Sequence, residues 1–298
     1  MLYTYETFEV KSKLNKKKVF FCILVILMVV VLSIYSAIKS AEYAKQKQEM
    51  KVVEETNLEE QRKAEEKAQE EAKAMKNANP FTEEQMQAIE NIYTAEGEKR
   101  VFLTFDDGPT TSVTPYILDL LKQENIKATF FILGNRAKAN PDLIKREFEE
   151  GHYIANHGYT HKYSQIYQNS QTVLDEYNHT ESCIQEALEN PNYHSKVFRF
   201  PGGSQGGYYH SIKTEAKQYL RQNGIVSLDW NSLSKDAEGV HTKEGLLQNV
   251  IDTIGQKQSV VLLMHDASDK ILTYETLPEV IQYLRENGYQ FKTLYDIL

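Results

Sequence analysis

The 298-residue chain carries a formal net charge of -8 and is 41% hydrophobic and 26% charged, which suits one sizeable domain with some non-globular segment added. That acidity speaks against nucleic acid as a ligand, because phosphate binding needs a basic surface. Of the two cysteines, Cys22 lies in an apolar run, so Cys183 has no partner for an intrachain bridge and the fold must rely on its core.

Residues 1–18 read as a short cytoplasmic tail that ends in Lys11, Lys13, Lys16, Lys17 and Lys18. From Val19 to Ile38 no side chain is charged, and about 20 such residues cover roughly 30 Å of hydrocarbon as a helix. This predicts a transmembrane helix over 19–38. A cleaved signal peptide is the weaker reading, because the apolar run is long for one and no small-x-small cleavage pattern precedes the charged segment. The lysines on its N-terminal side place the N-terminus inside, so the chain is expected to be single-pass in the cell membrane with everything after Lys39 extracytoplasmic.

Residues 39–80 are rich in Glu, Lys, Gln and Ala, with pairs such as Glu59 and Lys63 at i, i+4, and read as a charged helical stalk or linker. Met50, Val53 and Leu58 do not keep the heptad repeat of a coiled coil. Asn79-Pro80 breaks the segment, and Thr82 with Gln85 forms a capping-box pattern that starts a short helix through about Tyr93, within a lead-in over 81–99.

From Arg100 the character changes. VFLTF, ATFFIL, YIAN, VFRF, IVSLDW and VVLLMH are short runs rich in β-branched and aromatic residues and read as buried strands. Helix-like stretches separate them at 114–123, 141–150, 171–189, 213–223 and 242–256. Alternating strand and helix predicts an α/β fold with a parallel sheet, open or closed into a barrel. Asp106-Asp107, His157, Arg199, Asp229 and His265 each fall at or near the end of a separate strand. In α/β folds these ends converge on the face where active sites are built. His157 and His161 are four apart, a spacing that puts two imidazoles on one side of a helical turn, and a carboxylate from Asp107 can complete a three-ligand metal site. The glutamate of the HExxH protease pattern is missing. His152, His194 and His241 carry no comparable pattern and read as structural.

TFDDGP, HGYTH, FRFPGG, DWNSLSKDA and LLMHD appear in this order, and together they resemble the polysaccharide deacetylases of carbohydrate esterase family 4, over roughly 100–298. The resemblance implies a deformed (β/α) barrel as catalytic domain, and a metal-dependent hydrolase that removes acetyl groups from N-acetylated sugars. It implies Asp106 as catalytic base, with Asp107, His157 and His161 as metal ligands. Arg199 would orient the base, Asp236 would tether the catalytic histidine His265, Leu263 would line the acetyl-methyl pocket, and the Gly202 N–H would serve the oxyanion. The chemistry agrees, since an amide is a poor electrophile and water a poor nucleophile, and a divalent ion improves both. Zinc is the first candidate for that ion, with cobalt and other divalent ions open.

Two departures stand out. Gly158 occupies a position where most members carry Ser or Thr, and Ala237 one where many carry a tryptophan that walls the substrate groove; Trp230 is a candidate substitute. Gly202-Gly203, where many members have Tyr-Gly, suggests a more open groove. The expected partners are an acetylated glycan and the cytoplasmic membrane, with no nucleic acid. The expected substrate is N-acetylglucosamine in a cell-wall or surface polysaccharide, peptidoglycan first. Chitooligosaccharide, poly-N-acetylglucosamine and acetylxylan are alternatives, and a catalytically silent glycan-binding surface protein is the competing class.

Overall fold

The structure is a computed structural model. It describes residues 81–94 and 97–298, preceded by residues 24, 27–36, 38–48, 50, 51, 56, 59 and 63. Met1–Ala68 and Gln69–Leu298 form separate compact units. In the first, α1 (Leu27–Gln48) is long and apolar enough to cross a membrane, and Leu27, Val31, Ile34 and Ile38 along it are exposed. The helix runs past Ile38, the expected end of the apolar span, because the residues that follow are good helix formers without Gly or Pro. Glu59 and Lys63 form the ion pair that their spacing predicts, at 2.8 Å. The expected tail over 1–18, most of 19–26 and most of the stalk beyond residue 51 lie outside the described residues.

The second unit is built on one eight-stranded sheet, in the order β5-β4-β3-β2-β1-β7-β6, with β8 beside the start of β1. Its strands are β1 (Arg100–Asp106), β2 (Thr129–Ile132), β3 (Tyr153–Asn156), β4 (Val197–Phe198), β5 (Val226–Ser227), β6 (Ser232–Leu233), β7 (Ser259–His265) and β8 (Gln290–Phe291). Every pairing is parallel. Among the described residues β5 and β6 do not pair with each other, so the deformed barrel expected from the alternation is a curled, incompletely closed one. Around it lie α2 (Glu83–Glu90), α3 (Thr114–Gln123), α4 (Gly134–Ala139), α5 (Pro141–Glu149), α6 (Tyr163–Ile166), α7 (Ser170–Leu188), α8 (His210–Gln222), α9 (Lys243–Ile254) and α10 (Ile271–Glu286).

Local chemistry sets several boundaries. Thr82 and Gln85 form the predicted capping box of α2. Pro115 opens α3 and Pro141 opens α5, where a missing N–H costs nothing. Asn169 caps α7, and Thr242 caps α9 by accepting from the Gly245 N–H.

Strand alternation sorts the side chains onto two faces. On the outer face Val101, Leu103 and Phe105 of β1 and Val260, Leu262 and Met264 of β7 pack beneath α3, α5, α9 and α10 in the largest buried cluster. Cys183, expected to be unpaired, is buried in that cluster as a free thiol. On the inner face Phe102, Phe131, Tyr153, Ala155 and Val261 form a second cluster, which Phe81, Ile89, Ile92 and Leu294 close from below. Further along the same face the side chains turn polar, through Thr104 and Asp106 on β1 and His265 on β7, where Asp106 pairs in register with His265. The inner face therefore runs from a sealed apolar base to an ionisable rim at the C-terminal ends of the strands.

Candidate active site

After Asp106 the chain leaves β1 through Asp107, which takes a left-handed φ of 75°. Aspartate adopts this region more readily than most residues, and the turn aims the two adjacent carboxylates differently. Asp106 is buried and directed into the inner face. Asp107 points toward the loop that follows β3. The next residue must be glycine, because a Cβ at Gly108 would collide with the buried carboxylate of Asp266. Asp266 is itself fastened to this turn: its N–H donates to the Asp106 carbonyl at 3.0 Å, and its carboxylate accepts from Thr114 at 2.5 Å.

His157 and His161 lie on that loop, and its conformation corrects the helical turn that their spacing suggested. The segment between β3 and α6 is irregular, with left-handed φ values of 81° at Gly158 and 57° at His161. Glu176 on α7 holds it in place, accepting from the N–H groups of Tyr159 at 2.6 Å and Thr160 at 2.8 Å and from the Thr160 hydroxyl at 3.0 Å. Asn156 accepts from the Gly158 N–H at 3.0 Å. The support that a hydroxyl at position 158 would give is thus supplied by α7 and β3.

The two imidazoles and Asp107 meet. Asp107 Oδ1 is 3.6 Å from His157 Nε2 and 3.4 Å from His161 Nε2. One ligand atom from each residue lies within 4.8 Å of the others. Ligand atoms about 2.1 Å from a tetrahedral ion stand roughly 3.4 Å apart, so these edges fit a zinc-sized cation. Asp107 Oδ1 is buried and has no hydrogen-bond partner among the described residues, an arrangement that is costly unless a cation supplies the missing interaction. His157 Nδ1 is 2.7 Å from the Arg199 carbonyl, to which it donates, leaving the Nε2 lone pair directed at Asp107. Burial pushes His157 down to about 3, against the pull of Asp107, so the ring is neutral as a ligand must be. Asp107, His157 and His161 together have the charge, donor types and spacing to hold one divalent ion.

Asp106 stands beside this triad, its Oδ2 3.7 Å from His157 Nε2. Its other oxygen accepts from Arg199 Nη1 at 2.7 Å. Arg199 is fully buried and stacked on Phe131, with its guanidinium carbon 3.8 Å from the ring centroid. It also donates to the Thr104 hydroxyl at 2.8 Å and to the carbonyls of Leu228 at 3.0 Å and Asp229 at 3.2 Å. One side chain therefore ties the ends of β1, β4 and β5 together and leaves a single oxygen of Asp106 free. Burial raises the Asp106 carboxyl above its ordinary range, while the Arg199 charge works in the opposite direction.

On the opposite side of Asp106, the segment after β6 brings Asp236 to His265. Asp236 Oδ1 is 2.8 Å from His265 Nδ1, and Oδ2 accepts from the His265 N–H and the Thr273 hydroxyl, each at 2.8 Å. Burial alone would raise Asp236, but these donors hold it below its usual value. For His265 burial disfavours the charge, yet the bond to Asp236 and the carboxylates of Asp106 and Asp107 outweigh it and lift the imidazole to about 9. With Nδ1 engaged, Nε2 is the atom left to exchange a proton.

Leu263 lies on the inner face of β7, two residues before His265, and is buried. Gly202 follows Arg199-Phe200-Pro201 in a turn with φ 73°. Gly203 donates its N–H to the Phe200 carbonyl at 2.7 Å, while the Gly202 N–H has no acceptor among the described residues. At the two glycines, where the sequence suggested a more open groove, the space that a Cβ would take is bordered by aromatic rings. A Cβ at Gly202 would meet the Tyr163 ring, 3.0 Å from Cζ, and one at Gly203 would lie 3.1 Å from Trp230 Cη2. Trp230 is half-buried, with Arg199 5.7 Å from its ring. Asp229, one of the strand-end residues, is committed to the glycine loop, where its carboxylate accepts from the N–H of Ser204 at 2.9 Å and from the Ser204 hydroxyl. Glu176, Thr104, Thr273 and Tyr163 were not visible as site residues in the sequence, because the groups they serve lie far along the chain or on another element.

Comparison with known proteins identifies the family. The family model for polysaccharide deacetylase matches residues 94–226. The peptidoglycan-N-acetylglucosamine deacetylase PgdA of Listeria monocytogenes is 32% identical over 213 residues, covering 70% of this chain, which spans only 41% of the relative's length. A peptidoglycan-N-acetylglucosamine deacetylase of Bacillus cereus is 31% identical over 219 residues, covering 72% of this chain and 76% of the relative. The solved structure of a CE4 esterase from Streptococcus mutans superposes with a TM-score of 0.62 at 31% identity, over 72% of this chain and 91% of that one. On these matches the chain belongs to the polysaccharide deacetylase family.

Proposed function

We propose that the chain hydrolyses acetyl groups from N-acetylglucosamine units of a cell-wall glycan, peptidoglycan first, using a divalent ion, most simply zinc, held by Asp107, His157 and His161. One observation carries the metal site: a buried Asp107 oxygen with no hydrogen-bond partner among the described residues faces two imidazole nitrogens at 3.6 and 3.4 Å. The peptidoglycan preference rests on the relatives named above and on α1, which would hold the catalytic unit outside the membrane with the N-terminus inside.

A cation bound there supplies Lewis acidity toward the acetyl carbonyl and makes water a better nucleophile. Asp106, with one oxygen bound by Arg199, offers the other to take a proton from the attacking water. The Gly202 N–H is the donor for the developing oxyanion. Leu263 receives the acetyl methyl, and Trp230 borders the sugar. His265, protonated below about 9 and held by Asp236, gives its Nε2 proton to the departing amine. Water and amide become acetic acid and free amine as Asp106 gains a proton and His265 loses one; passage of that proton from Asp106 to His265 restores both, and acetic acid gives its own proton to the amine or to solvent to leave acetate.

The test is acetate release from peptidoglycan, a β-1,4-linked N-acetylglucosamine tetramer and acetylxylan, with and without chelator. The reading expects release from the N-acetylated glycans, loss with chelator, recovery with zinc, and a fall of about 10²- to 10⁴-fold in Asp106→Asn. Glycan binding without turnover in the metal-loaded protein would replace it with a binding role.

A further inference from the structure

We propose that Tyr163 is a substrate-contacting residue that forms the sugar-binding wall beside the metal triad. This rests on the glycan reading above and adds a residue to it. Tyr163 opens α6, two residues after His161. Its ring centroid is 5.7 Å from that of His161 on one side, and its hydroxyl reaches the space beside Gly202 on the other. It therefore adjoins both the expected metal ligand and the expected oxyanion donor, the two groups that must bracket an acetamido carbonyl.

The glycine at 202 and the tyrosine at 163 fit as a pair. With φ at 73° and no Cβ, Gly202 leaves room for a ring that any larger residue there would displace. The ring is braced from behind by Tyr167, with centroids 5.7 Å apart, and edge-on by Tyr209 at 6.5 Å. Lys213 lies 5.9 Å from its centroid and is tied to the Gly203 carbonyl at 2.7 Å, which links the brace to the glycine loop. Tyr167 and Lys213 are buried, whereas Tyr163 is 41% exposed. Its hydroxyl has no partner among the described residues, although neighbouring tyrosines such as Tyr167 donate to backbone at 2.6 Å. A braced aromatic with a free face and an uncommitted hydroxyl at the mouth of the site suits the apolar face and hydroxyl groups of a pyranose ring. With alanine at 237, where a tryptophan commonly walls the groove, this places the aromatic wall on the opposite, metal-ligand side.

The test measures binding separately from turnover. The full-length protein in detergent, loaded with zinc, is titrated calorimetrically with a β-1,4-linked N-acetylglucosamine tetramer. Tyr163→Ala is expected to bind about tenfold more weakly, with zinc content unchanged. Tyr163→Phe should recover most of that loss, separating ring from hydroxyl. Should alanine loosen α6, Tyr163→Leu keeps bulk against Tyr167 and carries the same test. Equal affinity in wild type and the aliphatic variants, or no binding by wild type, would overturn the proposal. Acetate release measured in parallel judges the deacetylase reading alone: binding that depends on Tyr163 without release sinks that reading and leaves this one standing.

Discussion

The two sides of the cleft differ in how complete they are. On the β7 side, Asp236 and His265 satisfy one another: every Asp236 oxygen has a donor, and the histidine gains a proton from the arrangement. On the β3 side, Asp107, His157 and His161 are gathered yet unsatisfied, with a buried oxygen that has no donor among the described residues and a histidine held neutral. A protein tolerates a group of the second kind where a ligand completes it. The contrast teaches that the β3 side should answer to metal concentration and the β7 side to pH, with Asp106 and Arg199 as the shared wall between them.

The sharpest way to break this contrast is Asp107→Asn. It keeps the shape and removes the charge, so bound zinc and acetate release should both fall, the latter by about 10³-fold or more, while the alkaline limb of any residual activity moves only a little toward lower pH, because Asp236, the larger cause of the raised His265 value, remains. Metal analysis beside the rate checks both parts. A smaller effect is expected from Glu176→Ala, which frees the two N–H groups and the hydroxyl that fix the His157–His161 loop. Loss of such outer support lowers metal affinity by about 10- to 100-fold, and a chelator competition reads it.

On the β7 side, Asp236→Asn should leave zinc bound and move the pH profile. Activity needs His265 protonated, so it declines as pH rises through about 9 in the wild type. Without the carboxylate charge that limb should slide toward the ordinary imidazole value of about 6.5. The smallest effect is on stability. His265 has a raised folded value, so its contribution is complete below the unfolded value and is withdrawn as pH rises through about 9. Asp236 has a depressed value, so its contribution is present above the unfolded value and fades as pH falls through the folded one. Thermal melts across pH should therefore show an alkaline decline that flattens in His265→Gln, and a decline of the same size in both proteins would refute the pairing.

Much of the frame was legible because its causes are local. Runs of β-branched and aromatic residues marked β1, β2, β3 and β7, and Pro115 fixed the start of α3 where the sequence placed it. The site residues were legible because a parallel sheet brings its C-terminal strand ends to one rim, so Asp106, His157, Arg199 and His265 are gathered by their places at the ends of predicted strands. What escaped depends on contacts distant in sequence. α10 was missed because Pro278 interrupts its pattern, and the structure tolerates that proline inside the helix. β6 and β8 are two residues each, too short for any periodicity. The spacing of His157 and His161 matched a helical turn, but the loop is set by left-handed Gly158 and by Glu176 on another element. Tyr163 gives no signal in the sequence, since its significance lies in the space that Gly202 leaves open.

The most direct test of the account is a calorimetric titration of zinc into the chelator-stripped protein, wild type beside Asp107→Asn. The account predicts one tight site per chain in the wild type, lost in the variant, with His265→Gln binding like wild type. Absence of a tight site in the wild type, or binding that Asp107→Asn leaves intact, would contradict it.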